Sequence, residues 1–165
     1  TRISTQVWWK CDKLKTESFE RGKVMDHVVY LDAVAKEFEK LQRGVKTYLI
    51  RGGSGPKFPY GKVFVGDVLY FINNNAEGVV KVRANVTRVI NSDKMSKEES
   101  LALVEGYQDR LRLTASQFKR WAGKRYIVLI EVVAVEELVP FSIDKSEYSN
   151  MDDWLPVEDI ERVRA

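Results

Sequence analysis

Basic side chains interleaved with aromatic rings are the chemistry-bearing feature of this sequence. From Lys40 to Gly66 the bases are Lys40, Arg43, Lys46, Arg51, Lys57 and Lys62, with no acid among them. From Arg110 to Ile130 they are Arg110, Arg112, Lys119, Arg120, Lys124 and Arg125, again with no acid. Tyr48 and Tyr60 flank the first block, Trp121 sits inside the second, and Trp8 and Trp9 are adjacent near the start. Lysine and arginine neutralise phosphates, and an aromatic face stacks on an unpaired base for about 1–3 kcal/mol. A pocket for one unstacked base also needs donors and acceptors for its edge, which Asn73, Asn74, Asn75 and Asn85 could supply. Each feature has a plainer use. Of two neighbouring tryptophans in a strand one faces the core, Trp121 would equally anchor its own helix, and an asparagine run makes a good turn.

Other chemistry finds less support. The run Gly52-Gly53-Ser54-Gly55-Pro56 lacks the Gly-Lys-Ser/Thr that opens a helix in a phosphate loop, and it lacks a third glycine at dinucleotide spacing. The single histidine, His27, reads as a cap or surface residue beside a helix start rather than a general base. The single cysteine, Cys11, reads as a small buried hydrophobe and excludes an internal disulfide. One histidine and one cysteine make a zinc cluster implausible, so neither metal nor cofactor is expected. Glu136-Glu137 and Asp152-Asp153 read as solvated charges.

The 165 residues suit one domain, and 44% hydrophobic with 31% charged residues is globular composition. A net charge of +3 hides an asymmetry, because from Glu131 to Glu161 the acids are broken only by Lys145. Two basic blocks and an acidic tail suggest a surface that faces a polyanion. No apolar run approaches the ~20 residues of a membrane span. The first residues lack the apolar stretch of a secretory signal, so a cytoplasmic protein is expected.

The elements that must position these residues follow from periodicity. Residues 3–11 read as a strand carrying Trp8 and Trp9, and 13–23 as a loop. Leu31, Val34, Phe38 and Leu41 recur at spacings of 3, 4 and 3, predicting a helix over 27–43 that Gly44 ends. Residues 46–50 read as a short strand, the glycine- and proline-rich 52–61 as a loop, 67–72 as an apolar strand and 73–78 as a turn. Over 79–90, Val80, Val82, Ala84 and Val86 alternate with polar residues, which predicts a half-buried strand. Ser96 with Glu99, and Thr114 with Gln117, form capping boxes that open two helices, the second running through Trp121 to Gly123. Residues 126–135 are apolar on both faces, as in a central strand, and Pro140 is expected to end that region. The tail carries Trp154 and a last helical turn over 157–163. Five strands with few helices predict an α+β or mostly β domain built on a small, highly curved sheet or barrel. The barrel is expected over 1–140, with 141–165 an acidic tail packed on it.

The segment Gly44-Val45-Lys46-Thr47-Tyr48-Leu49-Ile50-Arg51 resembles the signature of the ASCH family, part of the PUA-like superfamily that includes EVE and YTH domains. Its pattern, Gly-x-Lys-x-x-Glu-x-Arg, follows the first helix, and Gly44, Lys46 and Arg51 match it. Gly66-Asp67 resembles the family's turn into the next strand. The resemblance covers residues 3–140 and implies an α+β, PUA-like barrel of five to six strands with peripheral helices. Leu49 stands where the pattern has glutamate. A leucine neither shuttles a proton nor attacks a substrate, so enzymatic activity is doubtful.

By that resemblance the pocket is placed between Trp8 or Trp9, the strand from Lys46 to Arg51 and the strand end at Asn73. The expected binding residues are Lys46, Arg51, Trp8, Trp9, Thr47, Asn73, Asn74, Trp121, Lys124 and Arg125, with Lys46 and Arg51 foremost because no acid neighbours them in sequence. The expected partner is RNA, or single-stranded or modified nucleic acid, bound by a non-enzymatic module. One alternative is a hydrolase of a modified nucleoside or RNA, with Glu77 or Glu131 brought beside Lys46. The other is an interaction domain that uses its acidic tail.

Overall fold

The computed structural model describes residues 24–146 and 153–165. The strand expected over 3–11, with Trp8, Trp9 and Cys11, lies outside the described residues.

Among the described residues, six strands form one sheet in the order β2-β5-β4-β3-β1-β6. They are β1 (Asp26–Leu31), β2 (Tyr48–Gly53), β3 (Val68–Asn73), β4 (Val79–Asn91), β5 (Tyr126–Ser142) and β6 (Trp154–Glu158). The helices are α1 (Glu37–Gln42), α2 (Lys97–Leu111) and α3 (Ala115–Trp121), and a 3₁₀ turn spans Ile160–Arg162. Among the described residues, only β1 and β3 pair in parallel. Register shifts interrupt the long β4–β5 ladder at three places, and such bulges bend strands and increase twist. The sheet thus curls into a half-barrel, giving the expected α+β, PUA-like architecture.

Alternation along the strands sorts side chains between two faces. Inside the curl lie Val29, Leu31, Leu49, Leu69, Phe71, Val82, Ala84, Val86, Val128, Ile130 and Trp154. Outside, Tyr48, Ile50, Ile127 and Leu129 meet Val104, Leu111 and Trp121 of α2 and α3. Both helices start with the expected capping boxes, on Ser96 with Glu99 and on Thr114 with Gln117. On another outer patch, Val28, Tyr70, Ile72 and Val80 meet Leu155, Val157, Ile160 and Val163. Burial on both faces of β5 is why its sequence shows no alternation.

Three expectations are corrected. The helix over 27–43 is β1, a turn and the short α1. Leu31 belongs to the strand, Val34 is 93% exposed, and Phe38 and Leu41 alone use the helix. The helical spacing was coincidental. Val28 and Val29 suit a strand, and parallel pairing with β3 secures it. Pro140 does not end β5, which runs on to Ser142. In the tail, a sixth strand precedes the helical turn, and β6 pairs with β1.

Candidate functional site

Strand ends on one side of the half-barrel meet around a cleft of about 840 Å³. Tyr30 comes from β1, Arg51 from β2, Asn73 from β3 and Trp154 from β6. Lys57 and Phe58 project from the glycine-rich loop, Arg120, Trp121 and Lys124 from the end of α3, and Lys145 from beyond β5. Of the described residues lining it, Arg51, Lys57, Arg120, Lys124 and Lys145 are cationic and Asp153 alone is acidic. Among the described residues, none of Lys57, Arg120, Lys124 and Lys145 is in an ion pair.

Arg51 closes the seam between edge strand β2 and the β1–β6 side of the sheet. Its Nη1 donates to Ile50 O at 2.7 Å and its Nη2 to Tyr30 O at 2.9 Å. Its Nε lies 3.2 Å from Asp153 Oδ2. The guanidinium sits 5.9 Å from the Trp121 ring centre and 5.5 Å from that of Trp154, within cation–π range of both. The acid absent from its sequence neighbourhood is brought by the distant tail.

Lys46 is not at this cleft. It is fully buried, donates from Nζ to Leu111 O at 2.6 Å and pairs with Glu37 Oε2 at 3.2 Å. Burial holds its pKa below the usual lysine range, although Glu37 pulls the other way. The carboxylate beside Lys46 is thus Glu37, not Glu77 or Glu131. Glu37 Oε1 in turn accepts from Asp32 N at 2.8 Å, fixing the turn into α1. Glu37 also lines a smaller cavity of about 50 Å³, which shares Tyr30, Arg51, Asn74, Arg120, Trp121 and Asp153 with the cleft. Leu49, at the motif's glutamate position, lies in the inner core. Arg51, two residues along the same strand face, reaches the rim.

The other expected binding residues divide. Asn73, Asn74, Trp121 and Lys124 line the cleft, whereas Thr47 and Arg125 do not. Trp121 is 8% exposed, and its ring carries Arg120 at 4.4 Å as well as Arg51, so it offers little free face. The accessible ring is Phe58, 36% exposed. The loop bearing it is tied down by Tyr60, whose hydroxyl donates to Ser92 O, and by Gly61 N donating to Asn91 Oδ1 at 2.9 Å. An aromatic beside a lysine in a glycine- and proline-rich loop was the available signal for Lys57 and Phe58. Nothing local marks Tyr30, Lys145 or Asp153 as their neighbours.

His27 is neither a cap nor exposed. It is fully buried, with Nε2 2.9 Å from Asp67 Oδ2 and Nδ1 accepting from Trp154 Nε1 at 3.2 Å. The indole donor requires the imidazole proton to be on Nε2. Asp67 also accepts from Met25 N and Phe64 N. Burial would raise its carboxyl, but these hydrogen bonds hold it below the usual range. The Gly66-Asp67 turn is therefore wired through His27 to the tryptophan behind the cleft. No group of three or more His, Cys, Asp or Glu among the described residues is placed to hold a metal ion. No helix among them is long and apolar enough to cross a membrane.

These features define a small PUA-like half-barrel with a basic cleft at its rim. Its fold is that of ASCH proteins. ASCH from Zymomonas mobilis superposes with a TM-score of 0.59 at 15% identity, over 83% of this chain and 90% of the other. A tyrosine-to-phenylalanine variant of that protein gives 0.60 at 12% identity, over 83% and 93%. A hypothetical protein from Leishmania major gives 0.50 at 14% identity, over 85% and 90%. No family model and no curated protein matches the sequence. The likeness is one of fold.

Proposed function

We propose that the protein binds single-stranded nucleic acid, RNA foremost, through the cleft at the half-barrel rim. The observation that carries this reading is the set of Arg51, Lys57, Arg120, Lys124 and Lys145 around one cleft whose described lining holds a single carboxylate. Lys57, Arg120, Lys124 and Lys145, which have no carboxylate partner among the described residues, are suited to phosphates, whereas Arg51 is held by Asp153. Phe58 beside Lys57 offers a face for an unstacked base. Asn73 and Asn74 on the same lining supply polar edges. A cytoplasmic setting fits such a ligand.

Fluorescence anisotropy with a labelled single-stranded RNA tests this. With three or four phosphates neutralised, affinity should fall about 20- to 50-fold as salt rises from about 50 to 200 mM. Arg120→Ala with Lys124→Ala should weaken binding at least about tenfold without lowering the melting temperature, and Phe58→Ala should cost about 1–3 kcal/mol. Absence of binding at low salt to both RNA and single-stranded DNA overturns the reading.

A second reading, hydrolysis of a modified nucleoside or RNA, is favoured by one feature: Glu37, held by Lys46, lines the small cavity next to the cleft. Product analysis after incubation with acylated nucleosides and with RNA tests it. Release that is lost in Glu37→Gln supports it, and inertness across the panel removes it.

A further inference from the structure

We propose that Asp153 is a built-in competitor for the anion-binding end of the cleft: its carboxylate sits on Arg51, and an entering phosphate must displace it. This rests on reading the cleft as a nucleic-acid site.

The contact is poorly made for a permanent one. Two Arg51 nitrogens are satisfied by main-chain carbonyls. Its Nε is buried and has no hydrogen-bond partner among the described residues, although Asp153 Oδ2 is 3.2 Å away. Charge faces charge without alignment of the N–H, the weaker form of an arginine–carboxylate pair. A phosphate oxygen that took the carboxylate's place in better alignment would satisfy a donor that Asp153 leaves unmet.

The carboxylate is also cheap to move. Asp153 is anchored by its main chain, whose carbonyl accepts from Tyr30 N at 2.9 Å. Its neighbour Trp154 is buried and bonded to His27. The Asp153 side chain is itself 43% exposed. Swinging it aside needs a rotamer change and leaves β6 in place. What replaces it gains more than one cation, since Arg51 and Arg120 both lie over the Trp121 ring, at 5.9 and 4.4 Å from its centre. Asp153 therefore acts as a threshold. It opposes weakly charged occupants and yields to a phosphate-bearing strand.

The test is anisotropy with short single-stranded oligo(A) RNA at low salt, comparing the unmutated protein with Asp153→Asn. The variant keeps the side chain's size and removes its charge, and it should bind about three- to tenfold tighter. If the unmutated protein binds and Asp153→Asn binds equally or more weakly, Asp153 is not a competitor. If neither protein binds, the reading of the cleft fails and this inference with it. Should the variant not fold, NMR of the unmutated protein decides. The Arg51 Nε–H resonance should shift on titration with the same RNA, and a stationary resonance at saturation overturns the proposal.

Discussion

Lys46 places an ammonium where water does not reach, and its neighbours determine what that costs. Burial alone would favour the neutral amine. The Glu37 carboxylate and the Leu111 carbonyl keep the pair together. Removing one member of a buried pair strands the other, so Lys46→Met should lose about 3–5 kcal/mol of stability. The double variant Lys46→Met with Glu37→Gln should lose less than the two single changes added together, and urea denaturation of all four proteins measures that coupling. Asp67 gives a pH signature of the opposite kind. Its carboxyl lies below the unfolded value of 3.8, so between the two values the unfolded chain binds more protons and stability rises with pH. The contribution is complete above about pH 4–5 and fades on acidification through the folded value. The stability advantage of the unmutated protein over Asp67→Asn should therefore shrink below about pH 4 in denaturation curves taken across pH. A constant advantage would mean that the hydrogen bonds from His27, Met25 and Phe64 do not depend on the charge.

The element that brings Arg51 to the cleft depends on a close approach. β2 ends in Gly52-Gly53, paired against Ile127 and Tyr126 of β5. A Cβ on Gly52 would come within 2.8 Å of the Tyr126 carbonyl oxygen, a backbone atom that cannot turn aside. Gly52→Ala should thus push β2 from β5 at the cleft rim and cost about 1–3 kcal/mol. Gly55, three residues on, has open space around its own Cβ position, and Gly55→Ala should change stability by no more than about 0.5 kcal/mol. Thermal melts of the two variants make the comparison, and equal losses would remove the steric explanation.

The half-barrel as a whole depends on β6 and the turn that follows it. Trp154, Leu155, Val157, Ile160 and Val163 are all buried, on the inner core and on the outer face of β1 and β3. Their burial contributes on the order of 10 kcal/mol, similar to the whole stability of a typical domain. A chain cut before residue 153 should show no cooperative unfolding transition by circular dichroism. A sharp transition near that of the full chain would mean that β6 is an accessory.

Local grammar made much of this legible. The capping boxes on Ser96 and Thr114 and the alternation of β4 each depend on residues a few positions apart, so propensity and periodicity report them directly. The motif residues Gly44, Lys46 and Arg51, with the Gly66-Asp67 turn, pointed to the right fold, and they lie on the way into edge strand β2, on β2 itself and at the turn into β3. What sequence could not distinguish was Lys46 from Arg51. Both are basic residues in one short segment, yet one is buried under α2 and the other stands at the rim. The decision lies with Glu37 and Asp153, the second of which is more than a hundred residues from its partner. Likewise the residues of β1 carry a helical spacing, and their parallel pairing with β3 is a long-range contact that no local spacing records. Residue types and their order determined the class of sheet and the concentration of cations in two acid-free segments. Only the closing of the curled sheet, which brings the ends of β1, β2, β3 and β6 together, decided which of those cations share a cleft and which are spent inside the protein.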